Sequence, residues 1–286
     1  MARCDVCFRH CEIQEGHKGF CGARTCAGGR IIAENYGKVT GIALDPIEKK
    51  PLRRYLPGSM ILSVGSYGCN LRCPFCQNHD ISWSAEAMAW ADKAETVTPE
   101  ALVDLALRLK ARGNIGLAFT YNEPLIGWEF VRDTAKLTHE AGLKNVLVTN
   151  GTAELPVLEE LLPHIDAMNI DLKGFTERYY TQVLGGSLDM VKAFIARAVQ
   201  GCHVELTTLI VPNENDSEDE IRALTAWVSG LKDGNGRVIG PEIPLHISRF
   251  FPRFHMADRQ ATEVKRVYRL AEIARERIRS VYTGNC

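Results

Sequence analysis

No stretch of this chain approaches the roughly 18 consecutive apolar residues that a membrane span requires. Its first residues, MARCDVCFRH, hold no apolar core of a secretion signal. No membrane partner is expected, and the sequence reads as cytoplasmic. Net charge is scarce as well, since 34 basic against 35 acidic residues leave −1. A chain so balanced announces no polyanion, so nucleic acid is not an expected partner. Internal repeats and low-complexity tracts are also missing. What remains is 286 residues with 45% hydrophobic content, enough for a sizeable core in one α/β domain with or without a small extension.

A disulfide framework is excluded by placement. The ten cysteines fall unevenly: Cys4, Cys7, Cys11 and Cys21 with Cys26 just beyond, then Cys69, Cys73 and Cys76, then Cys202 and Cys286 alone. Tight C-x2-C and C-x3-C spacings without a secretory signal point to thiolates kept reduced for metal, either zinc or iron–sulfur. The first 30 residues are rich in Cys, Gly and Arg and have little to bury, so they need a metal to hold their shape.

Residues 31–60 read as irregular or short-stranded, broken by Pro46, Pro51 and Pro57. From about residue 60 a regular alternation begins. Apolar strand signals lie at 60–64, 115–119, 145–148, 167–170, 204–211 and 244–247. Between them, helices start at Thr98, run to His139, cover 156–162, and follow Ser187 and Ser217. A long amphipathic helix is expected over about 259–279. Six strands alternating with helices predict a partial (β/α)6 TIM barrel of parallel strands, with a small Cys-rich N-terminal metal-binding extension. The expected division is 1–59 for the extension and 60–286 for the barrel core with its C-terminal helix.

In such barrels the chemistry sits at the C-terminal ends of the strands. Polar residues cluster there in this sequence. The first strand leads into GCNLRCPFCQN, the second ends in TYNEP, the third in TNG, the fourth in DLK, the fifth in VPNE and the sixth in HISR. All six loops are expected on one rim. Three thiolates from one loop can hold three corners of a cubane and leave one iron open for a ligand. The plainer reading is a structural zinc on Cys69, Cys73, Cys76 and nearby His79, which would not explain the other five polar strand ends.

C-x3-C-x-aromatic-C at the end of the first barrel strand resembles the radical S-adenosylmethionine (SAM) enzymes, over about residues 60–250. The resemblance implies a [4Fe-4S] cluster on Cys69, Cys73 and Cys76 whose open iron chelates SAM. One electron then cleaves SAM to methionine and a 5′-deoxyadenosyl radical, which abstracts hydrogen from a protein or small-molecule substrate. An electron donor such as flavodoxin or ferredoxin is implied. Phe75, beside the last cysteine, joins the cofactor-binding residues. Many members carry Gly-Gly-Glu after the second strand; here Tyr121-Asn122-Glu123 stands in its place, and Glu123 would offer its carboxylate to the SAM ammonium. The same loop reads as a helix start, with Asn122 capping and Pro124 first. Asn150 matches a strand end that borders SAM in relatives. Asp171 and Lys173 match an Asp-Leu-Lys near SAM in glycyl-radical activating enzymes, or form an internal ion pair. His246 stands where relatives place a ribose or carboxylate contact, or is a wall residue.

More narrowly the chain resembles the AmmeMemoRadiSam system radical SAM enzymes, which are related to pyruvate formate-lyase activating enzyme. The resemblance rests on GFCGAR (19–24), YGKV (36–39), DPIEKKP (45–51), the TYNEP loop, PLHISRFFP (244–252) and YTGN (282–285). Activating-enzyme chemistry on a partner's glycine is one implied role, although no Gly-Pro-Gly-Ile-Arg stretch precedes the cysteine motif. The rival class is a non-catalytic zinc or iron–sulfur scaffold. Cys4, Cys7, Cys11 and Cys21 supply four thiolates for a second iron–sulfur cluster or a zinc, with Cys26 able to replace Cys11 or Cys21. NENDSEDE (213–220) reads as a turn and an acidic first helical turn, not a metal loop. Gly185-Gly186-Ser187 reads as a turn with Ser187 capping. RFFPRFH (249–255) would cover the cofactor or touch substrate, and Cys202 would be packing.

Overall fold

The computed structural model describes all 286 residues. Its main sheet has eight strands: β1 (Gly41–Pro46), β2 (Met60–Gly65), β3 (Asn114–Thr120), β4 (Lys144–Thr149), β5 (Ala167–Asp171), β6 (His203–Ile210), β7 (Leu245–Arg249) and β8 (Val281–Gly284). They lie side by side in chain order. From β2 to β8 every pairing is parallel, and β1 runs antiparallel along β2. The six expected strands are β2 to β7, so the partial barrel read from the sequence is the fold.

Two strands were not visible in the sequence. β1 lies in the stretch expected to be irregular or short-stranded, and its register, Gly41 opposite Gly65 and Pro46 opposite Met60, carries the sheet across the 59/60 boundary. Pro46 fits because β1 is an edge strand, where no neighbour needs its missing N–H. β8 is only VYTG, too short and polar to show a pattern, and it is held by pairing with β7.

Helices α1 (Pro99–Arg108), α2 (Trp128–Glu140), α3 (Leu155–Leu161), α4 (Leu188–Ala198), α5 (Glu218–Ser229) and α6 (Val264–Arg275) connect the strands. Their starts follow local chemistry. Thr98, Ser187 and Ser217 accept hydrogen bonds from the amides of Ala101, Met190 and Glu220. The acidic residues Glu218, Asp219 and Glu220 fill the first turn of α5, where the helix dipole favours them. Helix α6 is shorter than its periodicity suggested. Residues before it turn back so that Thr262 donates from its hydroxyl to the Ile210 carbonyl and from its amide to that of Phe250. Each helix buries a stripe against the sheet, as in Leu188, Val191, Phe194, Ile195 and Ala198 of α4. Each large side chain so buried contributes about 2 kcal/mol.

The barrel interior is plugged by Ile61, Ala118, Val146 and Ala167 together with Ile47 and Leu52 from the β1–β2 connection. Around this plug a polar tier ties the connection in place. Asn169 donates to the Pro51 carbonyl, and the Arg53 and Arg54 amides donate to the fully buried Glu205 carboxylate at 3.0 and 2.7 Å. Ahead of β1 the chain forms small ribbons, Ala2–Arg3 with Glu12–Ile13 and Arg24–Ala27 with Arg30–Ala33. No helix is long and apolar enough to cross a membrane.

Candidate active site

The loop after β2 is held from several sides. Gly68 adopts φ +92°, and a Cβ there would meet the Cys21 carbonyl at 2.7 Å. The Cys69 amide donates to that carbonyl at 3.2 Å. The Arg72 guanidinium donates to the carbonyls of Cys69, Leu71 and Phe20. Buried Asn70 donates to Thr152, and Asn150 donates to Asn70 at 3.0 Å with its Nδ2 3.8 Å from Cys69 Sγ. The loop is thus fixed by β4's end and by the N-terminal ribbons together.

Cys69, Cys73 and Cys76 line one cavity of about 590 Å³, which also takes in Phe75, Asn122, Glu123, Asn150, Asp171 and Lys173. The expected site residues are therefore brought together with one exception, while the fifth expected strand reaches the cavity through Thr207 and Leu209 and its VPNE end borders a separate one. His246 Nε2 lies 2.7 Å from Glu205 Oε2, one layer deeper in the barrel, while Ser248 and Arg249 of the same strand reach the cavity. The Asn122 cap is corrected as well. Glu123 accepts from the Leu125 amide as the cap, whereas Asn122 accepts from the Ser66 amide and donates to the Gly68 carbonyl. The longer carboxylate reaches the turn because Asn122 is engaged in holding the cysteine loop.

Glu123 is almost fully buried and accepts from the Thr149 hydroxyl at 2.7 Å, the Asn150 amide at 2.8 Å and the Leu125 amide at 3.0 Å. Burial pushes its carboxyl up to about 7, and these three donors offset that only in part. Lys173 donates to Asp171 at 2.7 Å, so the ion pair and the cavity placement are both present. Burial alone would lower the Lys173 ammonium, but Asp171, joined by Cys73 when that sulfur is ionised, holds it well above its ordinary value. Phe75 packs edge-to-face on Phe250 at 6.3 Å and forms part of the wall.

Burial raises all three thiols, Cys69 most, with Glu123 and Cys73 adding to it, and Cys73 to about 11. Thiols so placed ionise when a metal takes the proton's position. The set suits a cubane better than zinc. His79 stacks on Phe254 at 4.2 Å and is absent from the cavity wall, and no three His, Cys, Asp or Glu side chains stand close enough to grip a single ion.

Sequence reasoning missed Tyr121, Lys50 and Asp45. Tyr121 has φ +74°, a conformation that favours glycine, at the first position of the Gly-Gly-Glu pattern. Tyr121 donates to Asp45 at 2.9 Å and lies 4.8 Å under the Lys50 ammonium, which repays strain of about 1–2 kcal/mol. Burial would raise Asp45, yet Lys50 and Tyr121 hold it down to about 2. Polar residues within apolar strands, Thr207 and Ser248, were the visible signal for the opposite wall.

The N-terminal thiols gather separately. Cys4, Cys7, Cys11 and Cys21 line a small cavity with Asn70 at its edge, while Cys26 turns to Glu15, 3.5 Å away.

The model of the radical SAM superfamily matches residues 63–225. An uncharacterized protein of Methanocaldococcus jannaschii, MJ0808, is 38% identical over 286 residues, covering 99% of this chain and 81% of its own. The pyruvate formate-lyase-activating enzyme of Clostridium pasteurianum is 29% identical over 64% of this chain and 75% of its own. Among solved structures, Streptococcus suis SuiB bound to S-adenosylmethionine aligns with a TM-score of 0.58 at 14% identity, over 77% of this chain and 48% of its own. A radical SAM methyltransferase from Sphaerobacter thermophilus aligns at 0.54 and 16% identity, over 80% and 67%. Those two establish the fold alone. The family match and the full-length relative go further: the chain is an enzyme of the radical SAM superfamily, similar to pyruvate formate-lyase-activating enzymes, with a [4Fe-4S] cluster and SAM as its cofactors.

Proposed function

We propose that Cys69, Cys73 and Cys76 hold the [4Fe-4S] cluster and that SAM lies in the 590 Å³ cavity above them. The observation that carries this reading is the joining, in one cavity, of three thiols with the ends of strands β3 to β7. When bound, these cofactors supply a one-electron cleavage that yields a 5′-deoxyadenosyl radical able to abstract hydrogen.

The chain's own residues bind, orient and exclude water. Glu123 is fixed by three donors and still has a lone pair for the SAM ammonium. Asn150 supports the loop through Asn70 and stands beside Cys69, so it orients the thiol. Lys173 and Asp171 form a neutral pair that puts a cation near Cys73 without leaving an unpaired charge. Phe75 and Phe250 close the wall against water. Thr207, Ser248, Arg249 and Asn285, at the other end of the sheet, face the space left for substrate. That substrate is a C–H bond in a protein or small molecule, as the likeness to activating enzymes supports. The electron comes from a flavodoxin- or ferredoxin-type donor. Ten cysteines without a disulfide suit a reducing compartment such as the cytoplasm.

Anaerobic reconstitution with iron and sulfide, followed by SAM and dithionite, tests the reading. The loaded protein is expected to release 5′-deoxyadenosine, and Cys69→Ala, Cys73→Ala or Cys76→Ala to release none. Cleavage that persists in any of these variants sinks the ligand assignment.

A further inference from the structure

We propose that Cys4, Cys7, Cys11 and Cys21 hold a second [4Fe-4S] cluster, closed by four thiolates and set directly against the radical-cluster loop. The quartet lies on a different part of the chain from the SAM site, while its role as electron carrier rests on the function proposed for that site.

The four sulfurs come from two short turns and line one cavity with Val6, Ile13 and Ile126. Its void of about 10 Å³ is roughly one water in size. The amides of Val6, Arg9 and Ala23 bond to the sulfurs of Cys4, Cys7 and Cys21, each from two residues further on. The same turn occurs at the other site, where Leu71 donates to Cys69 and Asn78 to Cys76. Both groups thus use one local device for presenting a sulfur to a metal.

Spacing separates cluster from zinc. A tetrahedral zinc with bonds of about 2.3 Å needs its sulfurs about 3.8 Å apart. No three thiols of either group stand close enough to hold a single ion, and the group in the SAM cavity belongs to a cluster enzyme. A cubane spreads its four thiolates to four separate irons. It is larger than the void, so loading requires the two turns to part.

Charge points the same way. Arg9 is half-buried and meets no carboxylate; its guanidinium donates to the Asn70 and Gly185 carbonyls and stacks 3.3 Å from the Phe20 ring centre. A cation held there, on the wall of the thiol cavity, needs an anion, and a cubane with four thiolates carries two negative charges, or three when reduced. Arg24, also on the wall, is already matched by Glu129 at 2.7 and 2.8 Å.

Four protein thiolates leave no iron open, so the centre does not bind substrate. Its position suits electron transfer. The Cys21 carbonyl accepts from the Cys69 amide, and Asn70, on the wall of the thiol cavity, accepts from Asn150 of the neighbouring cavity. In that step a low-potential one-electron donor reduces the closed cluster from 2+ to 1+. It returns to 2+ as the electron reduces its neighbour from 2+ to 1+.

The test uses the full chain with Cys69, Cys73 and Cys76 all changed to Ala, which leaves the N-terminal quartet intact. After anaerobic reconstitution it should keep about four irons and four sulfides per chain and give a reduced-cubane electron paramagnetic resonance signal with dithionite. Retention of one zinc, or loss of all iron, overturns the proposal. In the otherwise native protein, Cys7→Ser with Cys21→Ser should halve the iron, and Cys26→Ser should leave it unchanged. A drop with Cys26→Ser overturns the quartet. The doubly loaded, fully reduced protein should show spin–spin broadening, and a plain sum of the two single-site spectra overturns the proposed adjacency.

Discussion

Replacing Glu205 by Gln tests how the barrel interior supports the cavity above it. The carboxylate has no solvent exposure and accepts from the Arg53 and Arg54 amides, with His203 at 3.1 Å and His246 at 2.7 Å. Burial would raise its pKa, but these four partners outweigh burial and bring it from 4.5 to about 2. At about 1.36 kcal/mol per pKa unit, the difference corresponds to about 3 kcal/mol at neutral pH. Because the folded pKa is the lower one, this stability is fully present above pH 4.5 and is lost as pH falls toward 2. Linkage places the loss at about 1 kcal/mol by pH 4 and about 2 kcal/mol by pH 3. Glutamine keeps the shape but turns an N–H₂ toward donors. Urea unfolding of wild type and Glu205→Gln, equally loaded and measured from pH 7 to pH 3, should give a gap near 3 kcal/mol that narrows on acidification. A gap below about 1 kcal/mol, or one that does not change with pH, refutes the reasoning.

Other perturbations have equally definite outcomes. Gly68→Ala drives a Cβ to within 2.7 Å of the Cys21 carbonyl and 2.8 Å of Ala23 Cβ at φ +92°. It should cost more than about 2 kcal/mol and lower bound iron, read by thermal melting and metal analysis. At Tyr121, Gly should be tolerated better than Ala by about 1 kcal/mol, because only Gly is at ease at positive φ; equal unfolding midpoints would contradict this. Lys173→Met leaves Asp171 unpaired beside the thiols. SAM affinity of the loaded enzyme, measured by equilibrium binding, should fall at least tenfold, about 1.4 kcal/mol, with partial recovery in Lys173→Arg.

The barrel was legible because its strands bury both faces and stand out as apolar runs between capped helices. The rim was legible because a parallel sheet places every strand's end on one side. Its failures have local causes. The β1 strand is mixed in polarity and ends in proline, so only its neighbour identifies it. His246 carries the right residue type but lies one layer deeper on β7, and Ser248, on the same face two residues further along, reaches the cavity with Arg249 instead. Tyr121 and Lys50 escaped notice because nothing in a tyrosine signals positive φ, and a lysine next to an aspartate five residues back looks like surface.

The cut at residue 59 separates two styles of sequence more than two structural units. The N-terminal segment carries the Cys21 carbonyl that takes the Cys69 amide, the Phe20 carbonyl that takes Arg72, and Arg9, which reaches Asn70 and Gly185. Gly68 can approach Cys21 only because it has no side chain. Further along, β1 supplies Asp45, which anchors Tyr121, and the β1–β2 connection supplies Lys50 to the cavity and the amides that hold Glu205. A loop that holds three thiolates on a cluster, as proposed here, needs its backbone held on every side. The barrel supplies one side, through Asn150 and Thr152, and the cysteine-rich segment supplies the other. The requirement that fixes the radical-cluster loop therefore also explains why residues with so little to bury remain folded against it.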